Sequence, residues 1–193
     1  MATFGYQGTS DTNFNLPNYI VGGKYQTGNS DFTLISITAY IKWSIMPGGT
    51  TKAKCCIYDT DYDLIADSTT VELSTLDTSF DDWYEFTYSG DGPSLTANTY
   101  YYITIWGTTG TGSFSVYANE DTGDGVIVDD ESYGESFPES ITAGGFSDAN
   151  DDLLIYGSYE DVMGDEETPL SIEGTGRILF YGGSKELKIM TVE

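Results

Sequence analysis

Thr33-Leu34-Ile35-Ser36-Ile37-Thr38-Ala39-Tyr40-Ile41-Lys42-Trp43-Ser44-Ile45 is the stretch that decides the fold. Ile35, Ile37, Ala39, Ile41, Trp43 and Ile45 fall on one side of an extended chain. Leu34, Ser36, Thr38, Tyr40, Lys42 and Ser44 fall on the other. Side chains alternate across a strand, so apolar residues at every second position describe a strand with one face on a core. A helix would space them three and four apart. Pro47-Gly48-Gly49 breaks the run, and a second strand is expected from Thr51 to Tyr58. The two are expected to pair as a hairpin.

Outward from this stretch the pattern repeats. Leu64 to Ala66, Thr70 to Leu73, Trp83 to Tyr88, Thr99 to Trp106, Ser113 to Ala118, Val126 to Val128 and Leu153 to Tyr159 all read as strands. Turn residues separate them at fairly regular spacing, as in sandwiches and barrels. No segment carries a sustained helical period. The fold class is all-β, with a jelly-roll-like antiparallel β-sandwich as the main body.

Composition agrees. The chain has 193 residues, the size of one ordinary domain with a small appendage, and 15% of them are aromatic, which suffices for a large core. Against 31 Asp and Glu stand only 7 Lys and Arg, a formal net charge of −24. Phosphate recognition needs the opposite sign, so nucleic acid is excluded as a partner. No run approaches the ~20 apolar residues of a membrane helix, so membrane insertion is not expected. Met1-Ala2-Thr3-Phe4-Gly5 lacks the basic and apolar regions of a secretory leader. The chain has no His, which rules out a Ser-His-Asp triad and a Cys-His dyad. Together these point away from enzyme chemistry.

The cysteines are Cys55 and Cys56. Neighbours on a strand point to opposite faces, so the two are badly placed to bond to each other. With Lys52 and Lys54 marking the solvent side, Cys55 and Ile57 are expected inward and Cys56 outward. Cys56 is then either an incidental thiol or the site of an intermolecular disulfide.

After Tyr159 the composition shifts. Residues 1–160 are assigned to the sandwich, residues 161–169 to an acidic linker and residues 170–193 to a C-terminal β extension. In the extension Leu170 to Ile172, Arg177 to Tyr181 and Glu186 to Val192 read as strands, with Tyr181-Gly182-Gly183-Ser184 as a hairpin turn. About two dozen residues cannot close a core, so Phe180, Leu187 and Ile189 need cover from the sandwich, another subunit or a larger assembly.

Several pieces, in order, carry a resemblance. They are Tyr19-Ile20-Val21-Gly22-Gly23-Lys24-Tyr25, Phe32 to Lys42, Lys54 to Asp59 followed by Leu64-Ile65-Ala66, Trp83-Tyr84-Glu85-Phe86-Thr87, and Ser94-Leu95-Thr96-Ala97-Asn98-Thr99-Tyr100-Tyr101. From about Asn13 to Tyr159 the chain resembles jelly-roll, carbohydrate-binding-module-like domains of phage, virion, secreted and cell-surface proteins. Asn98 stands where such domains carry glycine, and Asn tolerates the left-handed turn required there. The resemblance implies the sandwich; it assigns no glycan-contact residue, because one fold hosts many functions.

Two kinds of candidate site follow from the residues. Asp59, Asp61 and Asp63 alternate through a turn, and Asp148, Asn150 and Asp152 precede a strand. A further group runs from Asp121 and Asp124 to Asp129, Asp130 and Glu131. Such oxygen-rich turns can supply calcium ligands or can be plain solvated turns. Tyr100, Tyr102 and Trp106 share the face of one strand opposite Tyr101, Ile103 and Ile105. An exposed stripe of this kind stacks on a sugar or fills an interface; the other reading is a strand buried on both faces. The expected function is a non-enzymatic structural or accessory virion protein, capsid-decorating or fibre-like. The alternative is a carbohydrate-binding module of a secreted or cell-surface protein. Expected partners are other virion or surface subunits, copies of the chain itself and a glycan, at the virion surface or outside the cell.

Overall fold

In the computed structural model, which describes residues 1–10, 12–16, 20–45, 52–73, 81–107, 113–119, 126–129, 140–141, 152–160, 178–181 and 187–190, the chain divides into two compact units, Met1–Asp161 and Val162–Glu193. The first contains β1 (Ala2–Gly5), β2 (Thr12–Asn15), β3 (Ile20–Gln26), β4 (Phe32–Ile45), β5 (Lys52–Tyr58), β6 (Leu64–Asp67) and β7 (Val71–Glu72). It continues with β8 (Asp81–Thr87), β9 (Ser94–Leu95), β10 (Tyr100–Gly107), β11 (Ser113–Asn119), β12 (Val126–Asp129), β13 (Asp152–Leu153) and β14 (Ile155–Tyr159). The second contains β15 (Ile178–Tyr181) and β16 (Leu187–Met190). No α-helix occurs among the described residues, so none is long and apolar enough to cross a membrane.

All strand pairings in the first unit are antiparallel, and they form two sheets. The first sheet runs β1-β14-β4-β11-β13, with β2 on β11 and with β8 and β9 on β4. The second runs β12-β3-β10-β5-β6, with β7 on β5. β4 and β5 therefore belong to different sheets, and the expected hairpin between them does not form. Pro47-Gly48-Gly49, between them, lies outside the described residues. Likewise the Trp83–Thr87 and Thr99–Tyr101 motifs lie in opposite layers, β8 on β4 and β10 between β3 and β5.

The alternation in β4 holds with one displacement. Ser158 pairs with Ser36 and Tyr159 with Leu34, so Ile35 is an extra residue, a β-bulge. A single inserted residue reverses the parity of everything before it. Phe32 and Leu34 consequently enter the core together with Ile37, Ala39 and Ile41, while Ile35 is only half-buried. The expected exchange of Leu34 and Ile35 between faces is corrected by this bulge.

The two sheets close on a main core that includes Ile37, Ile57, Phe86, Ile103, Phe114, Val116 and Ile155. Truncating a fully enclosed aromatic such as Phe86 to alanine costs roughly 3–5 kcal/mol. A hydrogen bond crosses the core: the Tyr25 hydroxyl of β3 donates to the Leu153 carbonyl of β13 at 2.6 Å. It joins the two layers and satisfies a phenol that burial would otherwise penalise. β10 is the centre of the second sheet, and Gly22 of β3 lets it approach closely. A Cβ at Gly22 would lie 2.5 Å from Thr104 Cγ2 and 3.0 Å from the Ile103 carbonyl.

The second sheet also has a covered outer face. Ile20, Cys56, Tyr58, Tyr102, Trp106 and Ile141 form a smaller core there, with Tyr62 and Leu64 packed against it. Cys56 does leave the main core, as its parity requires, yet it is fully buried rather than exposed. Its neighbours on the outer face seal it, so the reading of Cys56 as a solvent thiol is corrected. Both cysteines are free.

The second unit is described by its backbone. β15 and β16 pair with each other, Leu179 opposite Ile189, Phe180 opposite Lys188 and Tyr181 opposite Leu187. The expected acidic linker and the strand at Leu170 to Ile172 lie outside the described residues.

Burial pushes the Cys55 and Cys56 thiols and the Tyr25 phenol well above their ordinary values, and the charge of Asp152 adds to the effect on Tyr25. The folded chain thus keeps protons that the unfolded chain releases. Stability from these groups is complete below the unfolded thiol pKa, about 8.5, and falls as pH rises through the higher folded values. Denaturation midpoints should therefore decrease from neutral pH to about pH 10. In the native protein a disulfide-exchange reagent should label neither thiol at neutral pH, and both should react once denaturant is added. Rapid native labelling of Cys56 would contradict its place in the outer core.

Candidate functional site

β10 carries the aromatic stripe expected from the sequence, but the stripe does not stay together at the surface. Tyr100 is 38% exposed, whereas Tyr102 and Trp106 are 3% and 2% exposed. Two contacts explain the difference. The Ile141 N–H donates to the Tyr62 carbonyl at 3.1 Å, and Asp63 bridges Ser140. The chain is thereby drawn across the outer face, and Tyr62 stacks on Tyr102 with centroids 5.0 Å apart. Of the alternatives open in the sequence, burial on both faces applies to Tyr102 and Trp106. Tyr100 remains at the strand start, with the Lys24 ammonium 5.0 Å from its ring centroid.

The acidic turn is built for its own closure. Asp59 Oδ1 accepts from the backbone N–H of Asp61 at 2.9 Å and of Asp63 at 3.0 Å. The Asp59 N–H donates to the Asp63 carbonyl at 3.0 Å, and Tyr62 takes a φ of 67° to complete the turn. Among the described residues no three acidic, thiol or imidazole groups are gathered to hold a metal ion. Asp152 sits in β13 opposite Asn119. Asp148 and Asn150 lie outside the described residues, as do Asp121, Asp124, Asp130 and Glu131; Asp129 is described as a backbone partner of Ile20. Phe180, Leu187 and Ile189 have their register in the hairpin, while their packing lies outside the described residues. Asn98 does take the left-handed conformation, with φ 51°.

A different group of rings meets on the outer face of the first sheet. Ile37, Ala39 and Ile41 of β4 point into the core, so Thr38, Tyr40 and Lys42 point out. On β8, Tyr84 and Phe86 are in the core and Trp83 and Glu85 are outside. The same parity sends out Tyr117 of β11 and Tyr156 of β14. Tyr40 stands directly opposite Trp83 in the β4–β8 register. Their centroids are 5.2 Å apart at 69°; Tyr40 and Tyr117 are 5.5 Å apart at 67°, and Trp83 and Tyr156 5.2 Å apart at 61°. Edge-to-face pairs of this kind contribute about 1 kcal/mol each beyond the area they bury.

All four rings are half-buried, so each keeps part of its surface in solvent. The Lys42 ammonium lies 5.5 Å from the Tyr117 centroid. Polar groups surround the rings: the buried Ser36 hydroxyl donates to Glu85 Oε1 at 2.7 Å, and Ser115 and Asn119 are half-buried nearby on β11. The sequence already placed Tyr40 on the non-core side of its strand. It did not show that three other aromatics at outward parity lie in register with it, since that depends on which strands pair.

A second feature is a depression of about 430 Å³. Ile65 and Asp67 of β6 form one wall; Tyr88, Ser89, Asp91 and Pro93 form the other. The Lys54 ammonium pairs with the Asp67 carboxylate at its edge. The buried Tyr88 hydroxyl has no hydrogen-bond partner among the described residues.

No protein-family model matches the chain, and no curated protein sequence matches it.

Leaving a buried hydroxyl unpaired costs about 1–3 kcal/mol, so removing it should recover part of that. Tyr88→Phe is expected to raise unfolding stability by about 1 kcal/mol in urea titration. A fall in stability on this substitution would mean that the hydroxyl has a partner.

Proposed function

We propose that the protein is a non-enzymatic structural or accessory component of a virion, capsid-decorating or fibre-like, with the sandwich as its displayed domain and the C-terminal hairpin as its assembly element. One observation carries this reading. Val162–Glu193 forms a unit of its own, and its described sheet has only the two strands β15 and β16. A lone hairpin is marginal in water and gains its stability from a further strand or surface. Arg177, Lys185 and Lys188, three of the chain's 7 basic residues, lie in this unit. Between molecules carrying −24 each they are local points of opposite sign, in a unit that also holds six acidic residues. Assembly partners are other virion subunits and copies of this chain, at the virion surface or outside the cell. Nucleic acid and membrane interiors are no part of the proposal, given the acidity.

The second reading is a carbohydrate-binding module of a secreted or cell-surface protein. The outer aromatic face of the first sheet favours it, because rings ringed by hydrogen-bonding groups are typical of interaction surfaces. Calcium enters either reading as the divalent cation for an oxygen-rich turn other than Asp59–Asp63, whose carboxylate closes its own loop; the run Asp148, Asn150 and Asp152 is the candidate.

Light scattering after size exclusion tests the first reading. The full chain should run as an oligomer and a chain ending at Asp161 as a folded monomer. Two monomers of equal stability would remove the hairpin's assembly role. For calcium, the melting temperature should rise in millimolar metal relative to chelator, because a cation that binds only the folded turns stabilises them. Identical melting curves would take the metal out of the proposal.

A further inference from the structure

We propose that the outer face of the first sheet, centred on Trp83 and Tyr40, binds uncharged saccharides. The inference names the ligand class for the second reading above and rests on it.

Three properties of the face lead there. Its partly exposed apolar groups, among the described residues, are chiefly rings: Tyr40, Trp83, Tyr117 and Tyr156 form one connected group at centroid distances of 5.2 to 5.5 Å. Exposed aliphatic side chains, which would suit a lipid or the core of a protein interface, are few among the described residues: the Ile, Val and Leu side chains described in β4, β8, β11 and β14 face the main core, Ile35 at the bulge excepted, and Leu154, bonded through its backbone to Tyr40 and Tyr117, is buried. Aromatic surfaces match the C–H faces of sugar rings while tolerating the hydroxyls at their edges.

The polar groups set among the rings come next. Of the groups with outward parity on the four strands, Glu85 is exposed and Ser115 and Asn119 are half-buried, the Asn119 amide donating to the Thr9 carbonyl at 2.9 Å, while Ser36, Thr38 and Ser158 are buried beneath them. Hydroxyl and amide groups both donate and accept, and carboxylate oxygens accept, which suits a ligand whose hydroxyls do both. The Ser36–Glu85 hydrogen bond at 2.7 Å already orients one such carboxylate.

Charge then narrows the class. The chain carries −24, and the cation on this face, Lys42, lies over the Tyr117 ring. Sulfated, phosphorylated and sialylated ligands would meet a repulsive field without a cationic pocket to offset it. Rings held by one another in edge-to-face contact lose little freedom when a ligand arrives, so the surface is preorganised. The rival stripe on β10 is closed, with Tyr102 and Trp106 in the outer core of the second sheet.

The full chain should be titrated calorimetrically with neutral cello-, xylo-, manno- and malto-oligosaccharides and, as a separate arm, with sialylated and sulfated ones. At least one neutral series should bind. Trp83→Ala and Tyr40→Ala should each weaken it about tenfold, the size of one lost stacking contact. Tyr100→Ala, on the other sheet, should leave it unchanged. A readout without any variant is the indole N–H resonance of Trp83, which should shift on titration while that of the enclosed Trp106 stays. Binding confined to the acidic sugars would overturn the inference and leave carbohydrate recognition standing. No binding in either arm would sink both. Binding that survives Trp83→Ala with Trp83 unshifted, or a Trp83→Ala variant that loses self-association instead, would also overturn the inference, the latter making this face a protein interface.

Discussion

The extra residue at Ile35 is the constraint on which the first sheet depends. β4 pairs with β14, β11, β8 and β9, so its parity is passed to every neighbour. Without the bulge, the parity of Ile37 would turn Leu34 and Phe32 outward, and the main core would lose two of its members. With it, Phe32 and Leu34 stay in the core together with Ile37, Ala39 and Ile41. The polar and aromatic residues from Ser36 to Lys42 then share one outward face. A backbone irregularity of one residue thus serves the core and the surface at once.

The two sheets use their outer faces in opposite ways. In the second sheet the outer face is closed by Ile141 and by the Tyr62–Tyr102 stack, so β10 has apolar surroundings on both sides. Burial there raises the Cys56 thiol and removes it from surface chemistry. In the first sheet the outer face keeps its rings half-exposed, interleaved with hydroxyls and a carboxylate. Among the described residues that face gathers four part-exposed rings, whereas β10 leaves Tyr100 alone exposed, which is why the proposed recognition surface is placed on the first sheet.

Acidity shapes the molecule without defining a site. Where the geometry of the acidic turn is described, the Asp59 carboxylate serves the backbone N–H groups of its own turn. A net charge of −24 works against anionic ligands and against contact between copies, so any self-assembly has to overcome that repulsion. Three of the seven basic residues lie in the C-terminal unit, where they oppose it locally among six acidic ones.

Alternation determined the all-β class, most of the strands and the inward residues of β5 and β10, because a period of two is a local property of extended chain; β1 and β2 carried too short a pattern to be marked. It also marked Tyr40 as outward, while the resemblance, not periodicity, marked Asn98 as a left-handed turn. Pairing was beyond it. That β4 and β5 separate into two layers, that Ile35 is an added residue, that Cys56, Tyr102 and Trp106 are sealed, and that Trp83 stands beside Tyr40 are all matters of which distant segments meet. A strand's sequence states which residues share a face; what covers that face is supplied by chain a hundred residues away, and only the tertiary structure decides it.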